Sequence, residues 1–240
     1  MPDTEVIILA MTRMLSGVCT AGMTRELDEI TGLRWVRPVK DFGTLLLGDL
    51  TDVQGRVIQL CDVISLHLQK PRPSPPHAED WLTDFVHHRP RLLRRLEGDR
   101  RANFLRTYQD TAPHQVLIEQ KRSLCLIQPD QVWGRFTLDP YSGKYEARLA
   151  FSLDDQAFLG SASKRGLPVT DLKWRALGRA WLSDGSRFDF DSDSLREKLT
   201  VDDIYLTVGL SRTYEGQIWS LVLAVHTVPD YATDIDYTNP

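Results

Sequence analysis

One short segment of the chain combines side chains that could bind nucleic acid. Residues 34–39 read Arg-Trp-Val-Arg-Pro-Val, and strand alternation would place Trp35 and Arg37 on one face. An indole beside a guanidinium is the combination that stacks on a base and holds a phosphate in single-strand binding proteins. Pro38 indicates a strand end or edge, where such a face is accessible. The alternative is a core tryptophan with Arg37 in a local ion pair, and the sequence leaves both open.

Other cations could contact phosphates. Seven arginines fall between residues 89 and 106, the most basic stretch of the chain, and the loop 161–166 adds a lysine and an arginine without P-loop spacing. The alternatives are a surface insertion whose arginines pack by their stems, and a plain surface loop. The residues predicted to bind nucleic acid or a nucleotide are Arg13, Ser16, Arg34, Trp35, Arg37, Arg94, Arg95, Arg101, Lys164 and Arg165.

Catalytic chemistry has one weak candidate, the thiol of Cys19 between Gly17 and Gly22. A nucleophilic thiol needs a base and a positive pocket, for which His67 or His77 is available in principle. A buried free thiol is the favoured interpretation of each of the three cysteines, and the glycines indicate a turn or close backbone approach. The chain has no CxxC, GxSxG, HExxH or GxGxxG pattern, so we predict no metal and no cofactor.

Composition is that of an ordinary globular protein. The 240 residues are 42% apolar and 26% charged, enough chain for one or two domains with a packed core. The net charge of −4 argues against a basic coat over the whole surface but allows a local basic patch. Because no apolar run approaches the length of a membrane span, we expect a cytoplasmic protein with no membrane partner.

The elements that must position these side chains begin with short strands. Within residues 5–72, strands are predicted at 6–11, 18–23, 35–39 and 56–68, with glycines at turn-like intervals. Such a pattern is typical of a small barrel or sandwich. The prolines of residues 71–76 predict the end of the sheet and a stiff extended connector.

The character of the chain changes after this connector and then changes back. Helical spacing predicts three helices within residues 77–112, near 79–86, 90–96 and 101–108. Further on, strands are predicted at 116–127, 145–153, 204–210 and 218–228, a helix capped by Thr170-Asp171 runs to about 182, and the acidic stretch 184–193 is interpreted as a solvated loop. The prediction is therefore a mainly β chain with a helical insertion.

Four segments together resemble a known family. They are Ser-Gly-Val-Cys-Thr-Ala-Gly at 16–22, Trp-Val-Arg-Pro-Val at 35–39, Leu-Cys-Asp-Val at 60–63 and His-Ala-Glu-Asp-Trp at 77–81. The combination is similar to that of the bacterial dual OB-containing domain family, although Met14, Ala78 and Asp80 depart from its usual residues. The resemblance implies two tandem OB-like small barrels. The change of pattern at the proline cluster and its reversal near residue 116 place them at 1–76 and 113–240, around an arginine-rich helical insertion at 77–112. The resemblance also implies a defence-related setting and binding of nucleic acid or a nucleotide.

Three functions remain open. The leading hypothesis is a non-catalytic binding module for single-stranded nucleic acid or a nucleotide in a bacterial defence or nucleic-acid-processing system, with a possible protein partner from a defence operon. The second is an enzyme that processes nucleotides or nucleic acid. The third is a protein–protein interaction module with a tryptophan-rich surface. Salt dependence separates the first from the third, because phosphate contacts weaken steeply as salt rises.

Overall fold

The computed structural model describes residues 3–14, 16–160, 166–182, 185–213 and 215–237, and it confirms a mainly β chain. The strands are β1 Thr4–Met14, β2 Gly17–Met23, β3 Trp35–Val39, β4 Asp62–Leu66, β5 Leu68–Pro71, β6 Asp80–Thr83, β7 Arg91–Arg95, β8 Leu124–Ile127, β9 Gln131–Leu138, β10 Tyr145–Leu153, β11 Gln156–Phe158, β12 Leu167–Pro168, β13 Arg187–Asp191, β14 Asp203–Leu210 and β15 Ser220–Val228. The helices are α1 Gly98–Thr107, α2 His114–Leu117, α3 Leu172–Trp181 and α4 Ser192–Leu199, with a 3-10 turn at Leu47–Leu50.

The first sheet has seven strands in the order β5-β6-β3-β2-β1-β4-β7 and is curled into a half-barrel. Its pairs are antiparallel except for β3 and β6. The apolar run of β1 is buried on both faces, as predicted: Val6 and Ile8 face the core inside the sheet, whereas Leu9 and Ala10 face the opposite side. This strand therefore serves two cores.

The second half of the chain contains two smaller sheets. One has the order β11-β10-β9-β13 with β12 on β10, and the other has the order β15-β14-β8. Their shared core surrounds Trp174 of α3, which packs on Phe136 and Phe190. Asp171 caps α3 as predicted, because its carboxylate accepts the backbone N–H groups of Lys173 and Trp174.

The two halves meet along the outer face of β1. A register shift between Ile8 and Ala10 interrupts the pairing of β1 with β2. The carbonyl oxygen of Leu9 accepts the Thr207 hydroxyl at 2.9 Å and lies 3.1 Å from Nε2 of buried His226. A third core cluster, which includes Trp35, Leu105, Leu126 and Tyr205, fills the space between the halves. Side chains of the first sheet that face β8 and β14 are thus interior.

Two of the three helices predicted between residues 77 and 112 are wrong. Residues 80–83 and 91–95 form β6 and β7, which pair with β3 and β4 of the first sheet. The prolines do not begin an extended connector, because the chain turns back between Ser74 and His77 to pair β5 with β6. Backbone pairing with β3 and β4 outweighs the helical spacing of the apolar residues in these short segments. The third helix is confirmed as α1.

Two further expectations change in the second half. The predicted strand 116–127 overlaps the end of helix α2, and only its last four residues form a strand, β8. The prediction of a solvated loop at 184–193 is wrong. Phe188 and Phe190 alternate inward in β13, and Asp191 then caps α4 through the backbone N–H of Ser194. The side chains of Asp189, Asp191 and Asp193 are exposed even so. The division at 1–76, 77–112 and 113–240 stays a prediction.

Candidate functional site

A cleft of about 620 Å³ opens where the first sheet meets the hairpin of β14 and β15. Strands β1, β2 and β3 form one side together with the loop 40–45 and the turn 72–74, and residues 210–212 and β15 form the other. The cleft is lined by apolar side chains that include Ala21, Leu124 and Leu223. The floor therefore suits a flat apolar ring more than a hydrated ion.

A glycine brings the loop 40–45 against β2. A Cβ on Gly17 would lie 2.2 Å from the carbonyl oxygen of Leu45, which accepts the Val18 N–H at 2.9 Å. A Cβ on Gly22 would meet the Ile7 carbonyl oxygen at the same 2.2 Å. The predicted close backbone approach is confirmed at both glycines, and at Gly17 it holds the loop 40–45 against β2 as one wall of the cleft.

Five cations line the cleft: Arg13, Arg37, Lys40, Arg72 and Arg212. They come from β1, β3, the two loops and the end of β14. Lys40 lies 3.0 Å from Asp49, and Arg72 donates to the backbone oxygens of residues 40 and 41 at 3.1 and 3.2 Å. The only carboxylates among the described lining residues are those of Asp41 and Asp80. The rim is therefore richer in cations than in acids.

Arg37 is the buried member of this set, with 6% of its surface exposed. Its Nε donates to Asp80 at 2.6 Å, and its Nη2 lies 2.9 Å from Glu79 Oε1 as an ion pair without hydrogen-bond alignment. Burial would raise the pKa of Glu79, but neighbouring His77, Arg37 and Ser123 together hold this pKa below its usual value. Glu79 is thus favoured in its ionised form, and Asp80 is ion-paired with Arg37.

Side chains of segment 77–81 also contact both halves of the chain. Asp80 pairs with Arg37 of the first sheet and also with Arg212 from the second half. Glu79 accepts the hydroxyl of Ser123, which precedes β8. Arg212 is the half-exposed end of this chain of contacts and reaches the cleft.

Trp35 has only 5% of its surface exposed and packs in the core between the halves. Trp35 and Arg37 lie on the same face of β3, as strand alternation predicts. At Trp35, however, the second half of the chain covers this face. The alternative interpretation, a core tryptophan with Arg37 in an ion pair, is therefore confirmed, and Trp35 offers no stacking surface. The residue pattern of one strand does not show which other elements will pack on its faces.

The structure gathers some predicted site residues at the cleft and disperses others. Arg13 and Arg37 line the cleft, and the carbonyl of Ser16 accepts the Thr44 hydroxyl at its wall. The guanidinium carbon of Arg34 lies 5.4 Å from the ring centre of Tyr108. The partners of the remaining described candidates are Glu5 for Arg94, Asp62 for Arg95, and Asp230 with the Thr227 carbonyl for Arg101. Lys164 and Arg165 lie outside the described residues.

Sequence reasoning missed several residues at the cleft. Lys40, Arg72 and Arg212 line the cleft, and two exposed aromatic residues, Phe42 and Trp219, are direct neighbours of lining residues. Phe42 is 86% exposed between two lining residues, and Trp219 is 43% exposed beside Ser211, with which it exchanges hydrogen bonds. In the sequence these two residues are aromatic side chains within polar turns, a pattern that does not by itself indicate a binding site.

Cys19 lies in the cleft as a half-buried thiol. Burial raises its pKa, and the charge of nearby Arg37 opposes this shift without reversing it. Its Sγ lies 3.8 Å from the Thr20 carbonyl oxygen. The thiol is protonated at neutral pH, which argues against a nucleophilic role because the thiolate is the reactive form.

Two searches were restricted to the described residues. They contain no group of three or more His, Cys, Asp or Glu side chains placed to hold a metal ion. No helix in this part of the chain is long and apolar enough to cross a membrane.

A curled seven-stranded sheet thus meets the second half of the chain at a cleft whose described lining is apolar and cationic. The chain belongs to the dual OB-containing domain family, whose model matches residues 4–225. No curated protein and no solved structure matches the chain.

Proposed function

We propose that the cleft binds single-stranded nucleic acid or a nucleotide, as a non-catalytic module of a bacterial defence or nucleic-acid-processing system. The observation that supports this most is convergence: residues from segments 16–22, 35–39 and 77–81, which are far apart in sequence, line one cleft together with five cations. OB folds bind single strands with this combination of positive charge and stacking surfaces.

The residues divide by exposure into three roles. Phe42 and Trp219 are exposed next to lining residues, and in this proposal their rings supply the faces on which a base stacks. Arg72 and Arg212 are half exposed and supply guanidinium donors to phosphate. Arg37 is a positioning residue, because its contacts hold Asp80, which in turn holds Arg212 at the cleft.

The two alternative functions receive less support. An enzyme that uses Cys19 would need a thiolate, and burial disfavours that form. A protein-interaction surface would use the same exposed rings, but it would not need a rim of cations. Binding measured at several salt concentrations separates these cases, since an apolar protein interface weakens much less with salt than phosphate contacts do.

Replacing Trp219 with alanine tests the proposed stacking role. We expect the affinity for a fluorescein-labelled oligothymidylate, measured by anisotropy, to fall by about 1–3 kcal/mol, the usual scale for one stacked base. The matched control is Tyr141→Ala, which removes an aromatic ring that is 98% exposed in the turn between β9 and β10. The control should bind like the parent protein.

Stability must be measured on the same samples. Because Trp219 is partly exposed, its alanine variant should melt close to the parent, so a loss of binding would report the site. Equal affinities for the parent, Trp219→Ala and Tyr141→Ala would remove Trp219 from the interface. A parent protein that binds no oligonucleotide or nucleotide would reject the proposed function.

A further inference from the structure

Strands β2 and β3 separate where they reach the cleft. Their pairing ends at Gly22 and Val36, although both strands run further. Further along β2, towards its start, the N–H of Val18 donates to the carbonyl oxygen of Leu45 in the loop 40–45, at 2.9 Å. Between these two contacts β2 has an open edge toward β3. Three residues form this open edge, and all of them line the cleft: Cys19, Thr20 and Ala21.

Thr20 lies in the middle of the open edge. Because the backbone groups of an antiparallel strand alternate between its two edges, the N–H and C=O of Thr20 point to the same side as those of Val18, away from β1. Continuing the register of β2 and β3 would place Thr20 opposite Pro38, which has no N–H to donate. The Cys19 thiol approaches the Thr20 carbonyl oxygen with its Sγ at 3.8 Å, but a thiol is a weak donor. Pro38 thus leaves a backbone acceptor that faces the cleft.

A second acceptor lies beside this gap between the strands. Asp80 of β6 is the sheet partner of Arg37, one residue from Pro38, and it also lines the cleft. Its Oδ1 accepts the Nε of Arg37 at 2.6 Å, and its Oδ2 accepts Nη2 of Arg212. A carboxylate has about four acceptor positions, so these two bonds do not saturate it. Since Arg37 directs its Nε and Nη2 at Asp80 and Glu79, the gap favours a ligand that donates hydrogen bonds.

We infer that the Thr20 carbonyl contacts the base in the cleft and selects bases that carry an exocyclic amino group, such as cytosine, over thymine and uracil. The amino group of cytosine donates hydrogen bonds, whereas thymine and uracil carry a carbonyl oxygen at the same ring position. A carbonyl there would face the oxygens of Thr20 and Asp80 and leave these acceptors unpaired. The inference rests on the proposed function and specifies which bases the same cleft binds.

The first test compares two ligands on the parent protein. We expect a fluorescein-labelled, ten-nucleotide oligodeoxycytidylate to bind roughly tenfold tighter than the matching oligothymidylate, the scale of one hydrogen bond to an acceptor that is otherwise left unpaired. The two strands carry the same charge and both present pyrimidine rings, so their phosphate contacts are matched. Anisotropy at neutral pH measures both affinities. Equal affinities, or tighter binding of the oligothymidylate, would overturn the inference.

The variant Pro38→Val tests whether the Thr20 carbonyl is the selecting group. Valine supplies the missing N–H opposite Thr20 and suits a strand, so the ladder can extend by one pair and occupy the acceptor. We expect this variant to bind the two oligonucleotides equally, while its affinity for the oligothymidylate stays close to that of the parent. The matched control is Pro73→Val, the same change in the turn 72–74, which also lines the cleft. The control should keep the preference for oligodeoxycytidylate.

Each failure has its own signature. A preference that persists in Pro38→Val would overturn the role of Thr20, because the base would then be selected elsewhere in the cleft. Loss of the preference in both variants would also overturn it, since the loss would report a general change of the cleft. A parent that binds neither oligonucleotide would reject the proposed function itself. If melting shows Pro38→Val to be unfolded, Pro38→Ala supplies the same N–H and repeats the comparison.

Discussion

Replacing Trp35 with alanine is expected to lower the free energy of unfolding by about 3–5 kcal/mol. The side chain is buried between the halves beside Leu105, Leu126 and Tyr205, and truncation leaves a cavity that the packed sheets cannot close. Urea unfolding followed by circular dichroism measures the effect. The loss should appear without ligand, because Trp35 acts through packing.

Trp219→Ala is the matched tryptophan truncation for this measurement. It removes the same side chain from a partly exposed position, so its free energy of unfolding should stay close to that of the parent. The assignment of Trp35 to the core would be contradicted if Trp35→Ala unfolded at the parent's urea concentration and bound oligonucleotide poorly.

Replacing Arg37 with methionine is expected to cost about 3–5 kcal/mol of stability, because it removes one partner of a buried ion network. Glu79 and Asp80 would stay in the interior without the guanidinium that contacts both of them, while Arg212 would still contact Asp80. Arg212→Gln is the control: its side chain is half exposed, so we expect a loss of at most about 1 kcal/mol in stability and a clear loss in binding.

The effect of Arg37 should depend on pH. In the folded state the pKa of Glu79 is held below its usual value, so this carboxylate stabilises the fold at neutral pH and the contribution is lost as pH falls through the folded pKa. The stability gap between the parent and Arg37→Met should therefore narrow on acidification. A gap that is small at pH 7 and constant down to pH 3 would contradict the role of the network.

Strong local patterns predicted much of the framework. The apolar run in β1, the periodicity of β2 and β10 and the Asp171 cap of α3 were sufficient, because each acts over a few residues. The sequence analysis did not predict strand β9, although its apolar residues Val132 and Phe136, which are buried, lie in an alternating segment. These elements follow from burial and capping alone.

Other features depend on partners that are distant in sequence. Segment 80–83 becomes a strand because β3 offers a free edge, and β7 pairs with β4 although its arginines resemble a helical face. The site, too, is formed by residues that are distant in sequence. Arg72 and Arg212 are 140 positions apart in the sequence, and only the joining of the two halves brings them to one cleft.

Ultraviolet cross-linking of the protein to an oligouridylate, followed by mass spectrometry of the peptides, tests the central claim most directly. If the cleft binds the strand, adducts should map to Phe42 or Trp219, the exposed aromatic residues next to its lining residues, and an excess of non-cross-linkable strand should abolish them. Tyr141 provides an internal control as an exposed ring remote in sequence from the cleft-lining segments. Adducts confined to Tyr141 or to residues 91–107, with none at Phe42 or Trp219, would contradict the assignment of the cleft.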